Sequence, residues 1–245
     1  MWRAWALRTG CSRVDQSMLT YLEGMGTEVV IPHTAVLLQG ESNVLIDTGF
    51  GSPEQIAAAY PQELWRTEEQ ALEQLLARLS LAPSDIDLVL HTHLHYDHVG
   101  NDYLFPGATI LAQQADLDFA RAPSVPLMRR EFFTESCGYP AQFNMDAVTG
   151  VDGDRTLAPG LDLLALPGHT PGSQGVVAET ADGPLCFAGD LVMVRENLNE
   201  LTPVGLHTDL EACERSRLKV LSLGGKVLPS HDMRIFDNVD VRAVS

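Results

Sequence analysis

Leu88-Val89-Leu90-His91-Thr92-His93-Leu94-His95-Tyr96-Asp97-His98-Val99-Gly100 is the stretch on which the reading of this chain turns. A short apolar run stops, and His93, His95, Asp97 and His98 follow within six residues. Imidazole and carboxylate are the donor set of zinc and similar divalent ions, and packing does not call for them at this density. Side chains two apart on an extended chain point the same way, so His93 and His95 can grip one ion together. Asp97 and His98 lie past a turn, within reach of a second ion a few ångströms away, as two-metal sites require.

Three further donors stand in the same context. His169 follows Leu163–Leu166 in the turn Pro167-Gly168-His169-Thr170-Pro171-Gly172. Asp190 follows Leu185–Ala188 and Gly189. His231 follows Val227-Leu228-Pro229-Ser230. Each is delivered at the carboxyl end of an apolar run, where open α/β sheets gather their ligand sites.

The rest of the chain alternates strand and helix patterns. Thr34–Leu38 and Asn43–Ile46 read as a hairpin across Gly40-Glu41-Ser42. Leu88–Leu90, Thr109–Ala112, Leu161–Leu166, Gly175–Ala178, Leu185–Ala188 and Lys226–Leu228 read as further strands. Leu72, Leu75, Leu76 and Leu79 form one helical stripe, preceded by a capping-box pattern at Thr67 and Gln70. Thr208 and Glu211 repeat that pattern before a helix over roughly Asp209–Leu223, which Gly224-Gly225 ends. Such mixing predicts a layered α/β fold. Both halves carry adjacent apolar strands, the second ending in an Asp beside a Gly (Asp47 with Gly49, Asp190 with Gly189). The expectation is one domain spanning 1–245, built of halves at about 1–120 and 153–245. The excursion at about 122–152 holds Arg129, Arg130, Phe132, Phe133 and Tyr139, and reads equally as a lid or a plain connector.

Composition narrows the partners. The formal net charge is −17, from 33 acids against 16 bases, a surface that repels phosphate backbones and anionic lipid. The expected partner is a small, neutral molecule, with no nucleic acid and no membrane. Cys11, Cys137, Cys186 and Cys213 are widely spaced, which argues against a disulfide framework or a cysteine zinc site and for buried thiols in a reducing compartment. No apolar run resembles a signal peptide or a membrane span, so the expected location is cytoplasmic.

Taken in order, His93-x-His95-x-Asp97-His98, Gly168-His169, Gly189-Asp190 and Ser230-His231-Asp232 resemble the metallo-β-lactamase superfamily, and Asp47-Thr48-Gly49 looks like its first motif. The first histidine motif and the turn Gly168–Gly172 are most similar to the N-acyl homoserine lactonases and related small lactonases. The resemblance implies a four-layer αβ/βα sandwich: two β-sheets face to face, helices outside, metals at the open edge. It implies that His93, His95 and His169 hold one ion, that Asp97, His98 and His231 hold the other, and that Asp190 bridges them, with Asp47 in support. The cofactor expected is two divalent ions, zinc first, with Mn, Fe or Co also suited to these donors. A hydroxide shared by the pair would open a lactone, with Asp97 and Asp190 as the catalytic carboxylates. A homodimer is the assembly such relatives suggest.

One position departs from the lactonases. They carry a tyrosine three residues after the bridging Asp, and this chain has Met193, whose thioether donates no hydrogen bond. Tyr96 is either its stand-in or pocket packing. Met18, Leu19, Tyr21, Phe132, Phe133, Tyr139 and Met193 are available for an apolar pocket. His91 is expected to be buried support, and His33 and His207 to be exposed or at most pocket wall. The competing readings are a thioesterase or β-lactamase-like hydrolase on the same scaffold, a di-iron redox protein, or a non-catalytic metal module. Only 14 residues follow His231, too few for the helical extension of the thioesterases. No export signal suggests a β-lactamase, and no Glu stands in the first motif as a redox protein would have it.

Overall fold

The computed structural model describes residues 1–54, 56, 63–124 and 143–245. Two β-sheets dominate it. The larger begins with β1 (Arg3–Asp15), β2 (Glu28–Gln39) and β3 (Asn43–Ile46), an antiparallel meander; β4 (Glu63–Trp65) pairs with the far end of β1. β5 (Leu88–Leu90), β6 (Thr109–Gln113) and β7 (Val148–Val151) then add in parallel beyond β3. The smaller sheet holds β8 (Arg155–Ala158), β9 (Leu161–Ala165), β10 (Gln174–Thr180), β11 (Gly183–Phe187) and β12 (Lys226–Leu228), ordered β12-β11-β10-β9-β8. β13 (Val241–Ala243) crosses back to pair with β1, so the last strand of the chain closes the first sheet.

The apolar runs are continuous because both faces of these strands are covered. Along β3, Val44 and Ile46 face the layer between the sheets, while Leu45 faces the helical side. Leu38 alternates with Leu37 in β2, and Leu90 with Val89 in β5, in the same way. In the smaller sheet Val176, Ala178, Leu185 and Phe187 point into the shared layer, whereas Val177 and Cys186 point outward. The outer faces are covered by α1 (Leu72–Ala77) and α3 (Gln114–Arg121) on one side and α4 (Leu210–Ser222) on the other; α2 (Tyr96–Val99) is a single turn in the ligand loop. This is the expected αβ/βα sandwich. Leu38 sits between the sheets, 1% exposed, and cutting such a side chain to alanine costs about 2–5 kcal/mol.

Two sequence expectations are corrected. The 13-residue β1 was not foreseen, because Arg3, Arg8, Thr9 and Gly10 break its apolar pattern. Thr208 does not cap α4. The Asp209 side chain accepts from Ala212 N at 2.9 Å, and Thr208 Oγ1 donates instead to Gly168 O at 3.0 Å, tying the helix to a ligand turn. Gly224, at φ +68°, does end the helix.

Candidate metal centre

β9, β11 and β12 all run antiparallel to β10, so their carboxyl ends share one edge of the smaller sheet. The turns after them deliver His169, Asp190 and His231. From the larger sheet, the loop after β5 brings His93, His95, Asp97 and His98 to the same place. Gly168 (φ +144°) lets the His169 turn press against α4: a Cβ there would lie 2.5 Å from Cys213 N.

All seven side chains converge. His93 Nε2 and His95 Nδ1 are 3.0 Å apart, and His169 Nε2 lies 3.2 Å and 3.0 Å from them. Asp190 stands between the two clusters. Its Oδ1 is 3.1 Å from His231 Nε2 and 3.4 Å from His98 Nε2, while its Oδ2 is 3.5 Å from His169 Nε2 and 3.9 Å from His93 Nε2. Asp97 Oδ2 lies 3.7 Å from His98 Nε2 and 3.8 Å from His231 Nε2.

Hydrogen bonds behind the rings set their tautomers. His98 Nδ1 bonds Asp47 Oδ2 at 2.8 Å, His169 Nδ1 bonds Leu206 O at 2.7 Å and His231 Nδ1 bonds Pro32 O at 2.8 Å. Thr92 Oγ1 donates to Asp47 Oδ2 at 2.7 Å, and so accepts from His93 Nδ1 at 3.1 Å. Four Nε2 atoms are left as lone pairs aimed inward. Zn–N bonds of about 2.0–2.1 Å put tetrahedral ligand nitrogens about 3.3 Å apart, so the spacing of the first cluster fits a cation held in common. His98 Nε2 is buried with no hydrogen-bond partner among the described residues, as a metal donor would be.

The charge balance agrees. Burial, then the neighbouring imidazoles, keeps His93 and His95 neutral, His95 being pushed down to about 3. Burial works against the ionised Asp190 carboxyl, but His231 and His98 outweigh it and hold it well below the carboxylate range. The same pairing raises His98 and His231 against their own burial. The positive charge these carboxylates require can come from protons on His98 and His231 or from cations that displace them.

The chain matches the model of the metallo-beta-lactamase superfamily over residues 29–231. It belongs to that superfamily. Relatives within it include an N-acyl homoserine lactonase of Bacillus sp, 29% identical over 91% of this chain and 90% of its own length. Metallo-beta-lactamase domain-containing protein 1 of Homo sapiens is 36% identical over 66% of this chain and 53% of its own length. Among solved structures, an N-acyl homoserine lactone hydrolase with N-hexanoyl-L-homoserine at its catalytic metal centre has a TM-score of 0.80 at 24% identity, covering 95% and 94% of the two chains. The dizinc lactonase AidC has a TM-score of 0.69 at 19% identity, over 99% and 94%. These likenesses carry the fold, and the chain is a hydrolase-superfamily member related to the lactonases.

An open pocket borders these donors, with Met18, Leu19, Met193 and Tyr96 in its wall as expected, together with Val14, Ile31 and Leu206. Tyr21 does not line it; that ring is exposed and packs edge-on against His207. Phe132, Phe133, Tyr139, Arg129, Arg130 and Cys137 lie outside the described residues. His91 is buried support, its Nε2 bonded to Asp102 Oδ2 at 2.8 Å. His207 is half-buried and bonds Val204 O at 3.0 Å. Of the two readings offered for His33, exposure fails and pocket wall holds: it is 1% exposed and lines the pocket beside Asp97. Asp116 was missed entirely. Its buried carboxylate accepts from Leu94 N at 2.7 Å and Gly172 N at 3.2 Å, clamping the two ligand loops together. No local signal marks Asp116, since it reads as an ordinary polar position on a short helix.

Proposed function

We propose that this chain is a dinuclear metal-dependent hydrolase that opens the ring of a neutral lactone bearing an acyl chain, working as one domain with zinc as the first-choice metal. The observation that carries the reading is Asp190, whose two oxygens face His93 and His169 on one side and His98 and His231 on the other, beside a pocket with an apolar wall. The names of the curated relatives support the lactone.

His93, His95 and His169 would hold one ion, Asp97, His98 and His231 the other, and Asp190 both. Bound divalent cations supply Lewis acidity, polarising a carbonyl oxygen and acidifying water enough for attack at neutral pH. Ser230 Oγ donates to Asp190 Oδ1 at 2.7 Å and fixes that carboxylate. Burial would raise the Asp97 carboxyl, but the His98 imidazole, ahead of the other neighbouring rings, outweighs it and keeps it ionised. Asp97, which lines the pocket alongside Asp190, would take a proton and pass it to the departing ring oxygen. Val14, Met18, Leu19 and Ile31 offer an apolar wall for the acyl chain and exclude water. Met193 contributes surface and no hydrogen bond.

The test is acid release from a panel of N-acyl homoserine lactones, a thioester and a β-lactam, with metal content measured on the same sample. Lactone opening that chelation abolishes and metal restores is the expected result. Equal rates with and without chelator would end the proposal, and turnover of the thioester or β-lactam alone would remove the lactone from it.

A further inference from the structure

β2 carries a buried histidine, His33, between Pro32 and Thr34 in a largely apolar strand. His33 packs edge-on against the rings of Phe50 and His231, with centroids 5.0 Å and 5.2 Å away. Its Nδ1 lies 3.0 Å from Asp97 Oδ2. No well-directed hydrogen bond joins the two, and Nδ1 has no hydrogen-bond partner among the described residues. His98 Nε2 is in the same condition, unpartnered with a carboxylate oxygen 3.4 Å away. The far nitrogen of His33, Nε2, is 3.0 Å from Ser12 Oγ. When Nε2–H donates to Ser12, Nδ1 presents a lone pair to a carboxylate. Two such atoms at that distance in a buried site repel unless a cation lies between them. The donor atoms of His33, Asp97 and His231 all fall within 4.8 Å of one another.

We infer that His33 is a sixth imidazole of the metal centre, donating through Nδ1 to the cation held by Asp97, His98 and His231. This rests on the reading that the cluster binds cations. It adds one donor to the set that the superfamily motifs supply, and it comes from a strand that carries none of those motifs.

The experiment compares wild type, His33→Ala and His33→Asn by chelator competition with zinc, alongside cobalt-substituted samples. The wild type is expected to bind two ions. Both variants should hold one ion as the wild type does and the other about tenfold or more weakly, with free imidazole restoring affinity to His33→Ala. The retained ion in the same sample reports an intact fold. An asparagine amide can hydrogen-bond Asp97 but is no imidazole, so full affinity in His33→Asn would overturn the inference, as would wild-type affinity in both variants. On the unmodified dicobalt protein, the Nε2–H proton of His33 should show the large contact shift of a ligand; its absence would overturn the inference even if both variants misfold. A wild type that binds no stoichiometric ion would overturn the metal-centre reading beneath it, a result distinct from the loss of His33 alone.

Discussion

His98 donates through Nδ1 to Asp47 Oδ2 at 2.8 Å, and Asp47 holds that carboxylate in place from a left-handed backbone at φ +58°. The same carboxylate accepts from Thr92 N and from Thr92 Oγ1, each at 2.7 Å. One buried side chain therefore aims His98 and pins the start of the ligand loop. Non-glycine residues in this conformation carry strain of about 1–2 kcal/mol, kept here because the hydrogen bonds require it.

Removing that carboxylate separates the two contributions. Asp47→Ala and Asp47→Gly should both weaken the ion at His98 about 10–100-fold, since each frees the ring and its tautomer. Glycine adopts positive φ without strain, so Asp47→Gly should be about 1 kcal/mol more stable than Asp47→Ala in denaturant unfolding. Equal stabilities would mean that the backbone at Asp47 stores no strain.

His91 makes stability depend on alkaline pH. Burial alone would lower its pKa, but Asp102 and then Asp47 outweigh burial and raise it to about 9, from 6.5. A histidine raised in the folded state contributes its full stabilisation below the unfolded value and loses it as pH climbs through the folded value. The metal-free protein should therefore lose stability between pH 6.5 and about 9, by an amount on the order of 3 kcal/mol. His91→Gln should be less stable at pH 6 and fall less steeply across that window, keeping only the share that His98 and His231 contribute. Parallel pH profiles for the two proteins would show that His91 is neutral in the fold.

Much of this was legible beforehand, for a physical reason. The candidate donors sit at strand ends, and strands buried on both faces write themselves as apolar runs, so Leu88–Leu90 and Lys226–Leu228 announced both the element and the candidate donor after it. β1 was hidden because its arginines satisfy themselves over distance, Arg8 with Asp240 at 2.6 Å, which no local window can see. His33 and Asp116 were hidden for the same cause. Each works on a residue more than 20 positions away, Asp97 and Leu94 respectively, and only strand register and helix packing bring them there.

Cys186 and Cys213 should be chemically silent in the native state. Burial pushes Cys186 up to about 12; burial and then Asp209 do the same for Cys213. At pH 8 the thiolate fraction of each is then on the order of one in ten thousand. Alkylation followed by peptide mapping should leave both unmodified in folded protein and label them fully after denaturation. Rapid native labelling of Cys186 would mean that the outer face of the smaller sheet opens to solvent.

Met193 tests how the pocket manages without a phenol. The side chain is 3% exposed, and its backbone oxygen accepts from His231 N at 2.8 Å, so its main chain is fixed whatever the side chain is. A thioether offers the substrate surface only. Met193→Leu conserves volume and should cost less than about 1.5 kcal/mol in stability, with kcat/KM for a lactone within about threefold of wild type, because no hydrogen bond is removed. Met193→Tyr adds a donor and also bulk in the pocket wall. It should raise KM for long acyl chains more than for short ones. A hundredfold fall in kcat for Met193→Leu would instead mean that the sulfur itself contacts the reacting group, and the apolar account of this wall would have to be abandoned.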